Sequence, residues 1–334
     1  MTSLERTLAT LQDSPRDRLA AMPITMIYAA QQEGVSFADY VRDYRVLARC
    51  QMRLVDEFGI DTVTLCSDPY RETADIGAEL TFMPDAPPRA NFHVLTERTP
   101  VTELHRPDPL HGGRMTDRVR GAELLREKLG GVVLVTGWVE GPIAEAVDLR
   151  GMTELMTDLA DAPEWVESLF AWITELEIAF GVAQVEAGAE IIGLGDAAAS
   201  LISPRIYENL VLPCEKQIVD AIHEAGGLVR LHICGNTNHL LPHMAKTGAD
   251  IIDLDYLVDF TQARPQLGPE PVILGHFDPV AVLLQGTPED VWNACAECHA
   301  LASDRHIVGP GCEVPPGTPH ENMAAMFRYA AEHR

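Results

Sequence analysis

The chain has 334 residues, with 50 Asp and Glu against 25 Lys and Arg, a formal charge of −25, and 46% hydrophobic residues. This apolar content is ample for a packed core. The acidity disfavours nucleic acid and anionic membranes as partners, because phosphate binding needs clustered cations, and the chain has only three lysines, Lys128, Lys216 and Lys246. No apolar run reaches the roughly 18 residues of a membrane span. The opening MTSLERTLATLQDSPRDR is polar and charged, without a signal core. A cytoplasmic chain with reduced cysteines is therefore expected.

In chain order, short β-rich runs fall at residues 24–27, 62–66, 132–136, 191–194, 228–234, 251–255, 272–274 and 306–308. Most are continuously apolar rather than alternating, as parallel strands covered on both faces require. Helical patterns lie between them. Pro163 opens the longest, which runs towards Gly188; Ser203 and Pro204 open the next, which Ala225-Gly-Gly227 closes. Thr287-Pro288 and Thr318-Pro319 start two more, each a cap followed by Pro at the first helical position. Eight such units predict an α/β fold of the (β/α)8 (TIM) barrel type, a single domain over 1–334. The loop-rich stretch from Ser67 to Gly130, between the second and third strands, reads as an insertion near the barrel mouth. Barrel enzymes place their chemistry at the carboxyl ends of the strands, and the candidate residues are sought there.

His232 and Cys234 close the fifth run two positions apart, so both side chains point to one face. Cys312 follows the eighth run in Gly309-Pro-Gly-Cys312. One imidazole and two thiolates with an open fourth position make a plausible catalytic zinc site. On spacing alone the competing reading, a buried cysteine beside a hydrogen-bonded histidine, is equally open. Cys295-Ala-Glu-Cys298-His299 matches the haem c attachment pattern but sits within a helical stretch without a leader, so it reads as helix packing. Cys50, Cys66 and Cys214 read as packing residues too.

Carboxylates also gather at strand ends: Asp68, Glu140, Asp196 and Asp278, the last beside His276. Any one could be a turn former or helix cap. Together they are candidates for orienting metal ligands, binding substrate or moving protons. Asp196, Asp278 and His276 are assigned to catalysis, and Glu140, Asp68 and Tyr207 to substrate binding. Asp253 and Asp255 read as partners of buried polar groups. No phosphate-binding glycine loop, nucleophile elbow or His-Glu-x-x-His helix occurs.

These residues resemble the uroporphyrinogen decarboxylase superfamily of (β/α)8 barrels, and within it the zinc-dependent, corrinoid-linked methyltransferases. The markers are Glu140-Gly-Pro142, Asp196-Ala-Ala-Ala-Ser200 with Ser203-Pro204, His232-Ile-Cys234-Gly-Asn236, Gly275-His-Phe-Asp278-Pro279, and Gly311-Cys312-Glu313 through Pro319 with Glu321-Asn322. The resemblance implies zinc on His232, Cys234 and Cys312. It also implies a methyl group moved between a corrinoid, carried on a partner protein docking at the mouth, and a small thiol or methyl donor. True porphyrin decarboxylases carry an arginine-rich segment where this chain has Met26-Ile-Tyr-Ala-Ala-Gln-Gln-Glu-Gly34 without arginine. Tetrapyrrole decarboxylation, with Asp68 matching their catalytic Asp, is thus the runner-up, and a zinc- or thiol-binding barrel without catalysis the non-enzymatic alternative. The superfamily often has Asn where this chain has His276, which offers zinc a fourth ligand. An arginine cluster for an anionic tail is to be sought at Arg71, Arg114, Arg118 and Arg120.

Overall fold

The computed structural model describes residues 1–334. Seven strands form one sheet in sequence order: β1 (Thr62–Thr64), β2 (Leu134–Glu140), β3 (Ile191–Gly195), β4 (Leu228–Ile233), β5 (Ile251–Leu254), β6 (Val272–Leu274) and β7 (His306–Ile307). Every neighbouring pair is parallel. Every residue of β1, β2, β3, β5, β6 and β7 is buried, which is why the runs are continuously apolar: helices cover one face and the curl of the sheet encloses the other.

The expected first strand at 24–27 is not a strand. Ala20–Met22 instead bridges the two edges of the sheet. The Met22 N–H donates to the Val308 carbonyl at 2.9 Å and the Val308 N–H to that of Ala20 at 2.9 Å, while the Asp61 N–H reaches Ala21 at 3.2 Å. Ile24 and Met26 are apolar for another reason: they line a cavity, and the chain then enters a helix at Ile27–Glu33.

Helix punctuation follows the residues that announced it. The longest helix is Pro163–Glu186. Ser203 caps the next, its hydroxyl accepting from the Ile206 N–H, and Pro204–Ile206 leads through a wide turn into Leu212–Glu224. Thr287 and Asp290 form a reciprocal capping box on Pro288–Ala302, while the last helix, His320–Glu332, takes Pro319 itself as its cap position. Between β1 and β2 lie a helix at Arg71–Ile76, an antiparallel pair of two-residue strands (Leu80–Thr81 with Arg89–Ala90) and the helix Gly113–Leu129. No helix is long and apolar enough to cross a membrane.

One apolar cluster of 77 buried residues joins the helices to the sheet. A second cluster of eight gathers Ala20, Met22 and residues of five strands on one face of the sheet. A third, small one of Ile24, Cys66 and Trp138 forms the wall of the cavity at the carboxyl ends of the strands.

Candidate metal centre and its cavity

The register of β4 against β5 sets the centre. It pairs His232 with Asp253, so both side chains leave the sheet on one face. The His232 Nδ1 lies 3.0 Å from Asp253 Oδ2, and Arg230, two residues earlier on β4, grips the same oxygen through Nε at 2.9 Å and Nη2 at 2.6 Å. Burial works against ionising Asp253, but Arg230 and then His232 outweigh it and hold the carboxyl below its ordinary range. An ionised Asp253 accepts the hydrogen bond of Nδ1–H, which in the neutral imidazole leaves the lone pair of His232 on Nε2.

That nitrogen faces the thiols. His232 Nε2 is 3.1 Å from Cys234 Sγ, and Cys234 Sγ is 3.9 Å from Cys312 Sγ. All three donor atoms lie within 4.8 Å of one another. Zinc–sulfur bonds of about 2.3 Å at tetrahedral angles place two sulfurs about 3.8 Å apart, so the separation suits zinc. The donor set, one nitrogen held by a carboxylate and two soft sulfurs, suits it chemically. Charge is already partly in place: the Cys234 hydrogen bond favours the thiolate at Cys312, drawing it down to about 4, while Cys234 retains the shared proton and is pushed up. The Cys312 loop is held tightly, since a Cβ on Gly311 would lie 2.3 Å from the Tyr256 backbone nitrogen.

The centre opens into a cavity of about 260 Å³. Ile24, Met26, Cys66, Pro69 and Trp138 supply apolar wall; Asp68, Glu140 and Glu313 supply carboxyl groups. Asp68 is clamped by Arg114 through two hydrogen bonds of 2.7 and 2.6 Å. Burial opposes its charge, but Arg114 prevails and holds it below the carboxylate range. Arg71, fully buried, binds Glu140 at 2.6 Å and the Asp68 carbonyl. Glu140 is nonetheless pushed up to about 8, mainly by burial. Glu313 accepts from the Ile27 N–H at 2.9 Å, and burial raises it to about 7.

Of the sequence-assigned residues, His232, Cys234, Cys312, Asp68 and Glu140 meet at this cavity. The other four lie elsewhere. Asp196 is wholly buried; its Oδ1 accepts from the Ala144 N–H at 2.8 Å, and burial followed by the neighbouring Glu215 raises it well above its ordinary value. Tyr207 is buried behind it and donates to Glu215. Asp278 caps a helical turn, accepting from the Val280 and Ala281 N–H groups at 2.8 and 2.9 Å. His276 stacks on Phe260 at 4.1 Å, and its Nε2 is hydrogen-bonded to the Val258 carbonyl at 3.0 Å, its Nδ1 facing Cys298. The structure therefore does not bring His276 to the three ligands. Asp253, read from sequence as the partner of a buried polar group, is that partner, to His232 and Arg230, while Glu313 and Trp138 on the cavity wall were not assigned. Glu313 was visible as the neighbour of Cys312; nothing local in sequence marked Trp138. Cys295 and Cys298 are buried in their helix, and all seven cysteines are free.

The sequence pattern of the uroporphyrinogen decarboxylase (URO-D) family matches residues 2–333. The chain belongs to the uroporphyrinogen decarboxylase family. Within the URO-D family it is 30% identical to the methylcobamide:CoM methyltransferase MtbA of Methanosarcina acetivorans, over 100% of this chain and 98% of that protein. It is 27% identical to a uroporphyrinogen decarboxylase of Trichlorobacter lovleyi, over 92% and 90% of the two chains. A solved methyltransferase from Methanosarcina mazei superposes with a TM-score of 0.91 over 99% of both chains at 23% identity, a likeness of fold.

Proposed function

We propose that this URO-D family chain is a zinc-dependent methyltransferase that moves a methyl group between a corrinoid and a small thiol or methyl donor, the corrinoid arriving on a partner protein. We read the fold as the (β/α)8 barrel, with Ala20–Met22 as the eighth staple between β7 and β1. The observation that carries the reading is the convergence of His232 Nε2, Cys234 Sγ and Cys312 Sγ in the wall of a largely apolar cavity. The likeness to MtbA over the full chain supports it.

Zinc held by His232, Cys234 and Cys312 would supply the Lewis acidity that keeps a substrate sulfur deprotonated near neutral pH, where a free thiol is mostly protonated. Asp253 orients the imidazole, and Arg230 holds Asp253 ionised. The two cysteines bring negative charge that keeps the bound sulfur electron-rich. Ile24, Met26 and Trp138 exclude water around the reacting end. Asp196 and Tyr207 act from behind the wall as support rather than on the substrate.

Metal analysis of purified protein beside Cys312→Ser tests the reading. About one zinc per chain in the parent and a marked loss in the variant are expected; equal zinc in both would sink the site. Methylcobalamin demethylation with a thiol panel then tests the reaction. Zinc without any methyl transfer would support a binding barrel instead, and uroporphyrinogen turnover would replace the assignment with tetrapyrrole decarboxylation.

A further inference from the structure

The four arginines from which an anion-binding cluster could be built are all committed elsewhere or distant. Arg120 is exposed on the surface of its helix. Arg118 is buried against Asp117 and the Val41 carbonyl. Arg114 gives both terminal nitrogens to Asp68, and Arg71 is shared between Glu140 at 2.6 Å and Glu72 at 3.5 Å. None of the thirteen residues lining the cavity is Arg or Lys. The wall instead presents three carboxyl groups, those of Asp68, Glu140 and Glu313, and Glu313 has no arginine partner.

The metal centre does not reverse this balance. Zinc(II), two thiolates and a neutral imidazole sum to zero, so the loaded site offers no net positive charge to a distant tail. An anionic tail drawn into this cavity would lose hydration and find no free counter-charge, since the guanidinium groups nearest the wall are already paired with Asp68 and Glu140.

Resting on the methyltransferase reading, we infer that the small substrate of this cavity is a thiol or thioether whose non-reacting end is uncharged or cationic, and that the cavity discriminates against sulfonate and carboxylate tails. The ion pairs of Arg114 with Asp68 and of Arg71 with Glu140 are the specificity device: they remove the guanidinium groups beside the lining from anion binding. The apolar wall of Ile24, Met26, Pro69 and Trp138 fits the same substrate class.

Calorimetric titration of the zinc-loaded protein with three thiols of equal length reads this without any turnover: 2-mercaptoethanol, 2-mercaptoethylamine and 2-mercaptoethanesulfonate (coenzyme M). The sulfonate should bind at least ~10-fold more weakly than the alcohol, as desolvating an anion without a free counter-ion dictates, and the amine, for which the wall carboxyl groups offer acceptors, no more weakly than the alcohol. Asp68→Asn should free Arg114 and move the sulfonate-to-alcohol ratio of dissociation constants towards the sulfonate by several-fold. Tighter sulfonate than alcohol binding in the parent protein overturns the inference while leaving the methyltransferase reading intact. Binding of none of the three overturns both.

Discussion

Asp253 is the residue on which the metal centre turns. It accepts from His232 on one side and from Arg230 on the other, and its second oxygen has no partner. Removing its charge would leave Arg230 buried without a counter-ion and let the imidazole change tautomer. Asp253→Asn should therefore weaken zinc affinity by about 10–100-fold, the usual effect of losing such an orienting partner. Competition with a chromophoric chelator measures it, and unchanged affinity would show that His232 is held by packing alone. Cys312 rests on a different constraint. Gly311 packs on the Tyr256 nitrogen and the His276 carbonyl, backbone atoms that cannot step aside for a methyl group. Gly311→Ala should shift the Cys312 loop and lower zinc content although no ligand is altered, a result that metal analysis on folded, size-purified protein can check.

The elements divide by how local their causes are. Strand runs and helix caps were legible because their signals sit in a few neighbouring residues: Ser203, Pro204, Thr287 and Pro288 open helices where their chemistry says they should. His232 and Cys234 were legible because period two puts both on one face. The pairing of His232 with Asp253 was not, since it depends on the register between two strands. The misplacement of the first strand has a similar origin. Ile24 and Met26 are apolar because a cavity needs a wall, and an apolar run cannot reveal which surface it serves. Asp278 shows the reverse case: Asp before Pro is a cap signal, and a cap is what it forms. At this scale Thr287→Ala removes the capping box of Pro288–Ala302. It should cost about 1 kcal/mol in urea unfolding and leave zinc content unaltered. A cost near zero would mean that packing of the helix against His320–Glu332 already fixes its start.

At the scale of the whole molecule, the excess acid is not confined to the surface. Glu72, Glu145 and Glu177 are fully buried, and burial raises all three, against the pull of Arg71 at Glu72 and reinforced by neighbouring carboxyl groups at Glu145 and Glu177. Burial also carries Glu140 to about 8 and Glu215 to about 7, the latter despite the hydroxyl of Tyr207. A carboxyl group whose folded pKa exceeds its unfolded one binds its proton more tightly when folded. Its contribution is complete below the unfolded value, near ~4.3, and is lost as pH rises through the folded value. Asp68 and Asp253 have the opposite sign and lose theirs as pH falls below the ordinary carboxylate range. Stability should accordingly peak on the mildly acidic side and decline from about pH 5 to 8, the window bounded by the ordinary carboxyl value and that of Glu140. Surface repulsion among the net −25 charges also grows with pH, and zinc binding changes with it, so the parent slope alone is not diagnostic. Glu215→Gln isolates the buried term. The amide keeps a hydrogen-bonding partner for Tyr207 and for the Asp196 carboxyl but cannot ionise, while the surface charge and the metal ligands stay as they were. Urea unfolding at pH 5, 6, 7 and 8 should therefore give a shallower decline for Glu215→Gln, by up to about 1.4 kcal/mol per pH unit between pH 5 and 6, falling to about half that near pH 7. Parallel declines in the two proteins would place the alkaline loss at the surface or the metal, and not in the buried carboxyl groups behind the cavity.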